Sequence, residues 1–206
     1  MRIKRLIAAL LAAVLPVSGA GAACLGMQVH AHRGAPTLPE NSLASISAAY
    51  AGGWDGVEID MQRLQDGRWV LHHDVLTGRT VGGVGRKAVL QLNSADWRGA
   101  KLMGQGGGSP PPFLDDALRV AAAQPAKTFN AELKVVYRDC APVSQLVSGM
   151  KQSLPHGNWM ITSAFPEALR CVRGTDRQGY LGLIVFDPRN ACLLYTSDAA
   201  DEGLGV

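Results

Sequence analysis

Short apolar runs alternate along the chain with longer stretches in which apolar positions recur at helical spacing. Residues 27–31 form the first run, and Ser42–Tyr50 follows as a helix closed by Gly52 and Gly53, since glycine tolerates the left-handed conformation that ends a helix. Residues 56–61 and 69–73 read as the next two strands, joined through an Asp66-Gly67 turn. The alternation then breaks. Residues 78–112 are rich in glycine and end in Ser109-Pro110-Pro111-Pro112, the composition of a long loop or a small insertion. It resumes with 114–122 as helix, 128–133 as strand, 140–154 as helix and 158–163 as strand. A short helix opened by Pro166 and a sixth strand at 180–186 complete the pattern. Repeated strand–helix alternation implies parallel pairing through crossovers, hence an α/β fold, either a barrel or an open doubly wound sheet.

The ends of the chain break this pattern. Arg2, Lys4 and Arg5 precede an apolar run from Leu6 to Val17 and then the small residues 18–23. That is the layout of a secretory signal peptide, with an apolar run too short to span a bilayer as a mature helix. Residues 1–23 are therefore set apart as a signal peptide, which implies a secreted or periplasmic location in a bacterium. Ala20-Gly21-Ala22 offers a cleavage site, whereas Gly21-Ala22-Ala23-Cys24 is similar to a lipoprotein box without its leading Leu and would make Cys24 a lipid anchor. Both readings stand. Residues 193–202 have no apolar period and resemble translated adapter read-through, so 192–206 are read as a non-native tail and 24–191 as one truncated domain; a frayed polar tail is the alternative.

Composition narrows the function. A chain of 206 residues, 47% apolar and 18% charged, supports one sizeable core and excludes intrinsic disorder. Removing the three leader cations from the 20 Lys and Arg leaves a balance with the 17 Asp and Glu. Without a basic surplus, nucleic acid is not an expected partner, and a polybasic membrane patch is disfavoured on the same ground. With Cys24 a lipid candidate and Cys192 at the suspected junction, Cys140 and Cys171 remain as a candidate disulfide pair in an oxidising compartment. No Cys-x-x-Cys spacing suggests structural zinc.

Polar residues cluster where the apolar strands end, which is where barrel and open-sheet enzymes place their sites. They are His32-Arg33-Gly34, Pro39-Glu40-Asn41, Glu58 and Asp60, His73-Asp74, and Asn130, Glu132 and Lys134. Strand side chains alternate, so Glu58 and Asp60 share one face, and Glu132 and Lys134 share another. Three converging carboxylates repel one another unless a cation neutralises them, and all-oxygen ligation suits Mg²⁺ or Ca²⁺. Such a site fits attack at phosphorus. Arg33 and Lys134 would balance the non-bridging oxygens, and His32 and His73 would move protons to and from the reacting oxygens. Duller roles fall to other residues: His72 to packing, Glu40 and Asn41 to orienting the His32 loop or capping the next helix, and Asp115 and Asp116 to the helix dipole. Gly82-Gly83-Val84-Gly85 lacks the rest of a phosphate loop and reads as a flexible turn.

In order along the chain, His-Arg-Gly at 32–34, Pro-Glu-Asn at 39–41, Glu-x-Asp at 58 and 60, Asp66-Gly67, His-Asp at 73–74, Pro-Phe-Leu-Asp-Asp at 112–116, Glu-Leu-Lys at 132–134 and Thr162-Ser163 resemble the glycerophosphodiester phosphodiesterases. The resemblance implies a (β/α)₈ TIM barrel, here incomplete at about six of its eight strands. It implies hydrolysis of small-molecule glycerophosphodiesters to glycerol 3-phosphate and an alcohol. It also implies a divalent cation, Ca²⁺ or Mg²⁺, on Glu58, Asp60 and Glu132, acid–base catalysis by His32 and His73, and phosphate contacts from Arg33 and Lys134. A phospholipase-type phosphodiesterase with another head group, and an inactive secreted binding protein, are the alternatives on this fold.

Overall fold

The computed structural model of the protein describes residues 28–186. The proposed signal peptide, Cys24 and the tail from 192 onward lie outside them. The first strand is β1 (His30–His32), so His32 ends a strand instead of opening a loop. A turn leads to α1 (Leu43–Ala51), whose N-cap is Ser42: its hydroxyl accepts from the Ser45 amide, and the Ser45 hydroxyl accepts from the Ser42 amide. The cap belongs to Ser42, which frees Asn41 for another task.

Next come β2 (Gly56–Arg63) and β3 (Trp69–Leu71). β2 pairs in parallel with β1 through its first half and antiparallel with β3 through its second, with Met61 opposite Leu71. The insertion that follows holds β4 (Val81–Gly82), a 3₁₀ turn at Val89–Gln91, α2 (Ser94–Gly99) and β5 (Lys101–Leu102). It is a folded unit: Val81, Val89, Leu92, Trp97, Leu102 and Phe113 form a second buried cluster with Leu64 and Val70 of the adjoining hairpin. The sequence left this region open between loop and insertion because its glycines mask the apolar spacing.

The alternating part resumes with α3 (Leu114–Ala122), β6 (Thr128–Leu133), α4 (Ala141–Ser153), β7 (Trp159–Ser163), α5 (Pro166–Thr175) and β8 (Tyr180–Leu183). The main sheet runs β1-β2-β6-β7-β8, all parallel, with β3 paired antiparallel to the second half of β2. This is an α/β fold with helical crossovers. The sheet has the expected six strands, but β3 is the return arm of a hairpin, so five parallel barrel strands lie among the described residues.

One face of the sheet is apolar and carries the helices. Val57, Ile59 and Met61 of β2, Phe129, Ala131 and Leu133 of β6 and Ile161 of β7 are buried against Ile46 of α1, Ala117 and Leu118 of α3, and Val143, Val147 and Met150 of α4. Each fully buried Val, Ile, Leu, Phe or Met side chain among them contributes about 1.5–3 kcal/mol from removal from water. The other face brings Glu58, Asp60 and Gln62 beside the same-register Asn130 and Glu132 and then Met160 and Thr162. A buried face that polar cannot be structural filler without partners. A disulfide joins Cys140, at the N-terminus of α4, to Cys171 in α5, as expected from the cysteine count.

Candidate active site

Three strand ends supply the charged cluster. Asp60 and Glu132 are opposite each other in register, and Glu58 lies one pleat below Asp60. One carboxylate oxygen from each of Glu58, Asp60 and Glu132 falls within 4.8 Å of the other two. Lys134 follows β6 and sets its ammonium 2.9 Å from Asp60 Oδ1 and 2.7 Å from Glu132 Oε2. Arg33 Nε lies 3.4 Å from Asp60 Oδ2. The sequence therefore brought together the residues that the fold brings together: Arg33, Glu58, Asp60, Glu132 and Lys134 form one cluster, with His32 at its edge.

The His-Arg-Gly turn owes its shape to backbone sterics. Arg33 adopts φ 58° and Gly34 φ 91°, both left-handed. At Gly34 an added Cβ would lie 2.3 Å from Ser45 Oγ, so only glycine lets this turn rest on α1. The turn aims the Arg33 amide at Glu58 Oε2, to which it donates at 3.0 Å. His32 Nε2 is 3.9 Å from the same oxygen, and its ring is largely exposed. Partial burial, reinforced by the positive charge of Arg33, lowers the His32 pKa below its usual value.

Asn41, which the sequence left between two roles, and Gln62, which it did not single out, are fixed by their contacts. Asn41, also left-handed at φ 56°, donates from Nδ2 to Asp60 Oδ2 at 2.7 Å and accepts from the Asp60 amide at 3.0 Å. It clamps Asp60 and orients the loop, the first of the two roles open to it. Gln62 donates to the carbonyls of His72 and Asp74 at 2.8 and 2.7 Å, which fixes the segment that carries His73. Its place on the face of Glu58 and Asp60 was readable from strand alternation. His72 packs edge-on against Trp97 with ring centroids 6.0 Å apart, as its packing role required.

His73 enters from the segment after β3, with Nδ1 2.8 Å from Asp74 Oδ1. Arg79 spans Asp74 and Glu40: Nε donates to Asp74 Oδ2 at 2.6 Å, and Nη2 donates to Glu40 Oε1 at 2.6 Å. Arg33 Nη1 also donates to Glu40, to Oε2 at 3.3 Å. The guanidinium of Arg79 holds the Asp74 carboxyl well below the usual range. This chain of charges ties the two histidine-bearing segments together. No local pattern flagged Arg79, because it sits among glycines and meets its partners only in the folded chain.

Electrostatics leaves an imbalance at the carboxylates. Burial, and then the charge of Asp60, pushes Glu58 up to about 8. Glu58 Oε1 is buried without a hydrogen-bond partner. A buried oxygen with no donor, among three carboxylates and beside one ammonium, is the donor set that a hard divalent cation satisfies. At the edge of the cluster, beside the His-Arg-Gly turn, lies a cavity of about 270 Å³ lined by His32, Arg33, Glu40 and Thr80. A groove of about 700 Å³ between α1 and the insertion is larger, but it is lined by none of the histidines or clustered carboxylates. The clustered carboxylates line neither, but His32 and Arg33, which lie against Glu58 and Asp60, place the smaller cavity next to the cluster.

The chain is similar to known proteins. The chain matches the model of the glycerophosphoryl diester phosphodiesterase family over residues 32–156. It is 30% identical over 159 residues to glycerophosphodiester phosphodiesterase 1 of Homo sapiens, covering 71% of this chain and 45% of that one. It is 43% identical over 58 residues to a glycerophosphodiester phosphodiesterase of Caldanaerobacter subterraneus, covering 28% of this chain and 24% of the other. Among solved structures, an Oleispira antarctica phosphodiesterase in complex with the product sn-glycerol-3-phosphate aligns with TM-score 0.66 at 24% identity, over 84% of this chain and 72% of that one. A Thermotoga maritima glycerophosphodiester phosphodiesterase aligns with TM-score 0.62 at 17% identity, over 85% and 70%. The chain spans about half the length of the human relative and of its bovine counterpart. These structural likenesses establish the TIM-barrel type of fold, and the matched segment contains every clustered residue from His32 to Lys134. The chain belongs to the glycerophosphoryl diester phosphodiesterase family.

Proposed function

We propose that the protein hydrolyses glycerophosphodiesters to glycerol 3-phosphate and an alcohol. The observation that carries this reading is the convergence of Glu58, Asp60 and Glu132 with Arg33 and Lys134 at one mouth of the sheet. His32 and His73 complete the set. The product bound by the Oleispira phosphodiesterase supports the same substrate class.

Glu58, Asp60 and Glu132 would hold one divalent cation, Ca²⁺ or Mg²⁺, which supplies neutralising charge at phosphorus and a more acidic coordinated hydroxyl. Arg33 and Lys134 bind the non-bridging phosphate oxygens and favour the charge that builds on them in the transition state. The glycerol 2-hydroxyl attacks phosphorus as one of His32 and His73 takes its proton. The phosphorus–oxygen bond to the alcohol breaks as the other histidine returns a proton to the leaving oxygen. Water then opens the cyclic phosphate with the two roles exchanged, giving glycerol 3-phosphate. Asn41 and Gln62 act by position, holding Asp60 and the His73 segment. The Cys140–Cys171 disulfide supports a secreted or periplasmic setting, where such bonds persist.

The test is release of glycerol 3-phosphate from glycerophosphocholine, with and without chelator, for the parent protein and His32→Ala. The expected result is a loss on the order of 10²–10⁴-fold for His32→Ala, the range for a proton-transferring side chain, and full loss with chelator. Unchanged turnover in the variant would remove His32 from the mechanism. Preference for a long-chain lysophospholipid would move the substrate to the phospholipase alternative.

A further inference from the structure

The insertion between β3 and α3 presents a surface unlike the rest of the chain. Val75, Leu76, Leu90 and Met103 are exposed large apolar side chains, Val75 and Leu90 each at 60%. Between residues 75 and 103 the sequence has five cations, Arg79, Arg86, Lys87, Arg98 and Lys101, against one carboxylate, Asp96. That carboxylate is occupied at the start of α2, where it accepts from the Asn93 amide at 3.1 Å. Arg79 is held by Glu40 and Asp74, and Arg98 lies over the Phe113 ring. Arg86, Lys87 and Lys101 are exposed, with no ion pair among the described residues.

Hydrogen bonds make these residues one layer. The Val89 amide donates to the Val75 carbonyl at 3.0 Å, and the Thr77 amide donates to the Lys87 carbonyl at 2.8 Å. Lys101 is opposite Gly82 in the β4-β5 pair, and the Met103 amide donates to the Thr80 carbonyl at 2.8 Å. Thr80 also lines the catalytic cavity with His32 and Arg33. The layer therefore adjoins the cavity beside the His-Arg-Gly turn. The near balance of charge over the whole chain conceals it, because the carboxylates are gathered elsewhere.

We propose that this layer docks on an anionic lipid bilayer, with Val75, Leu90 and Met103 at the headgroup boundary and Arg86, Lys87 and Lys101 against lipid phosphates. Unpaired cations interleaved with exposed aliphatic side chains match a surface in which phosphates overlie hydrocarbon. A protein partner fits less well, since lysine is depleted at protein interfaces. Docking sets the cavity of His32 and Arg33 against the bilayer, and on the catalytic reading above it admits phosphodiesters whose alcohol is lipid-borne. The docking itself does not depend on that reading.

Sedimentation of the full chain with vesicles tests it, comparing phosphatidylcholine alone with phosphatidylcholine containing phosphatidylglycerol. Binding is expected only to the anionic vesicles, weakened by added salt, and reduced about fivefold for each cation removed in Arg86→Gln, Lys87→Gln and Lys101→Gln. Leu90→Ser should weaken binding as well, with the circular dichroism of every variant unchanged because these side chains are exposed. Equal affinity for both vesicles, or indifference to the three charge variants, overturns the proposal. Self-association through this face without vesicle binding overturns it too, and assigns the face to a second copy. None of these readouts needs turnover, so failure of docking and failure of catalysis are separately visible.

Discussion

Asn41 offers the sharpest test of how the site is held. Replacing it by alanine removes the donor 2.7 Å from Asp60 Oδ2 and the acceptor 3.0 Å from the Asp60 amide, at a position 2% exposed. A hydrogen bond to a buried charged group contributes about 1.5–3 kcal/mol. Alanine must also adopt φ 56° there, where a side chain without a local hydrogen bond costs roughly 1–2 kcal/mol. Lys134 and Arg33 still face Asp60, so the carboxylate is not abandoned. The expected loss is about 3–4 kcal/mol, a large part of the roughly 5–15 kcal/mol that holds a domain together. Urea unfolding followed by tryptophan fluorescence measures it, and Asn41→Gly separates the contributions. Glycine tolerates the left-handed region, so it should be about 1 kcal/mol less damaging than alanine. A loss under about 1 kcal/mol for Asn41→Ala, or no difference between the two variants, would refute the clamp. Divalent-cation affinity by calorimetry gives a second measure, expected to drop roughly 10–100-fold as Asp60 loses its orientation.

Two further outcomes follow from groups away from the carboxylates. Burial against Trp97 lowers the His72 pKa, so its neutral form stabilises the insertion fully above the unfolded-state value near 6.5, and that contribution is lost as pH falls through the lower folded-state value. Trp97 emission should report loosening on acidification, and a His72→Phe variant should flatten that pH dependence. Cys140→Ser opens a loop with sequence separation 31, which by chain entropy alone costs about 3–4 kcal/mol. The same loss should appear in the parent protein under reducing agent and be absent from the variant.

The alternation of apolar runs and helical stretches made the parallel α/β architecture legible, because crossover helices must cover an apolar sheet face. Glu58 and Asp60 were legible as a pair for the same reason: with Val57, Ile59 and Met61 already committed to the helices, the other face had to be functional. What the chain hid was tertiary. Asn41 stood open between orienting the His32 loop and capping the helix it precedes, and only the fold decides: Ser42 takes the cap and the Asn41 side chain crosses to β2. β3 was counted among the barrel strands because strands of either orientation share one side-chain period; the Asp66-Gly67 turn pointed to a hairpin, and the antiparallel pairing with β2 establishes it. Arg79 gave no signal at all, since a salt bridge to a residue 39 positions away leaves no local trace.

The insertion leaves and rejoins the fold almost at one point: Val70 bridges to Phe113, and the Leu71 amide donates to the Pro112 carbonyl at 3.4 Å. A segment whose two ends meet can be exchanged for a shorter or longer one without changing the strand order around it. Its parts are not equally free. Residues 72–80 are pinned by Gln62 and by the Glu40–Arg79 bridge, so the histidine they carry cannot drift. Residues 81–111 touch none of the clustered carboxylates through a hydrogen bond or ion pair among the described residues. The barrel thus keeps its chemistry in a fixed register while the rim remains a graftable part, and a chimera that replaces only 81–111 should change what the mouth meets and leave the reaction in place.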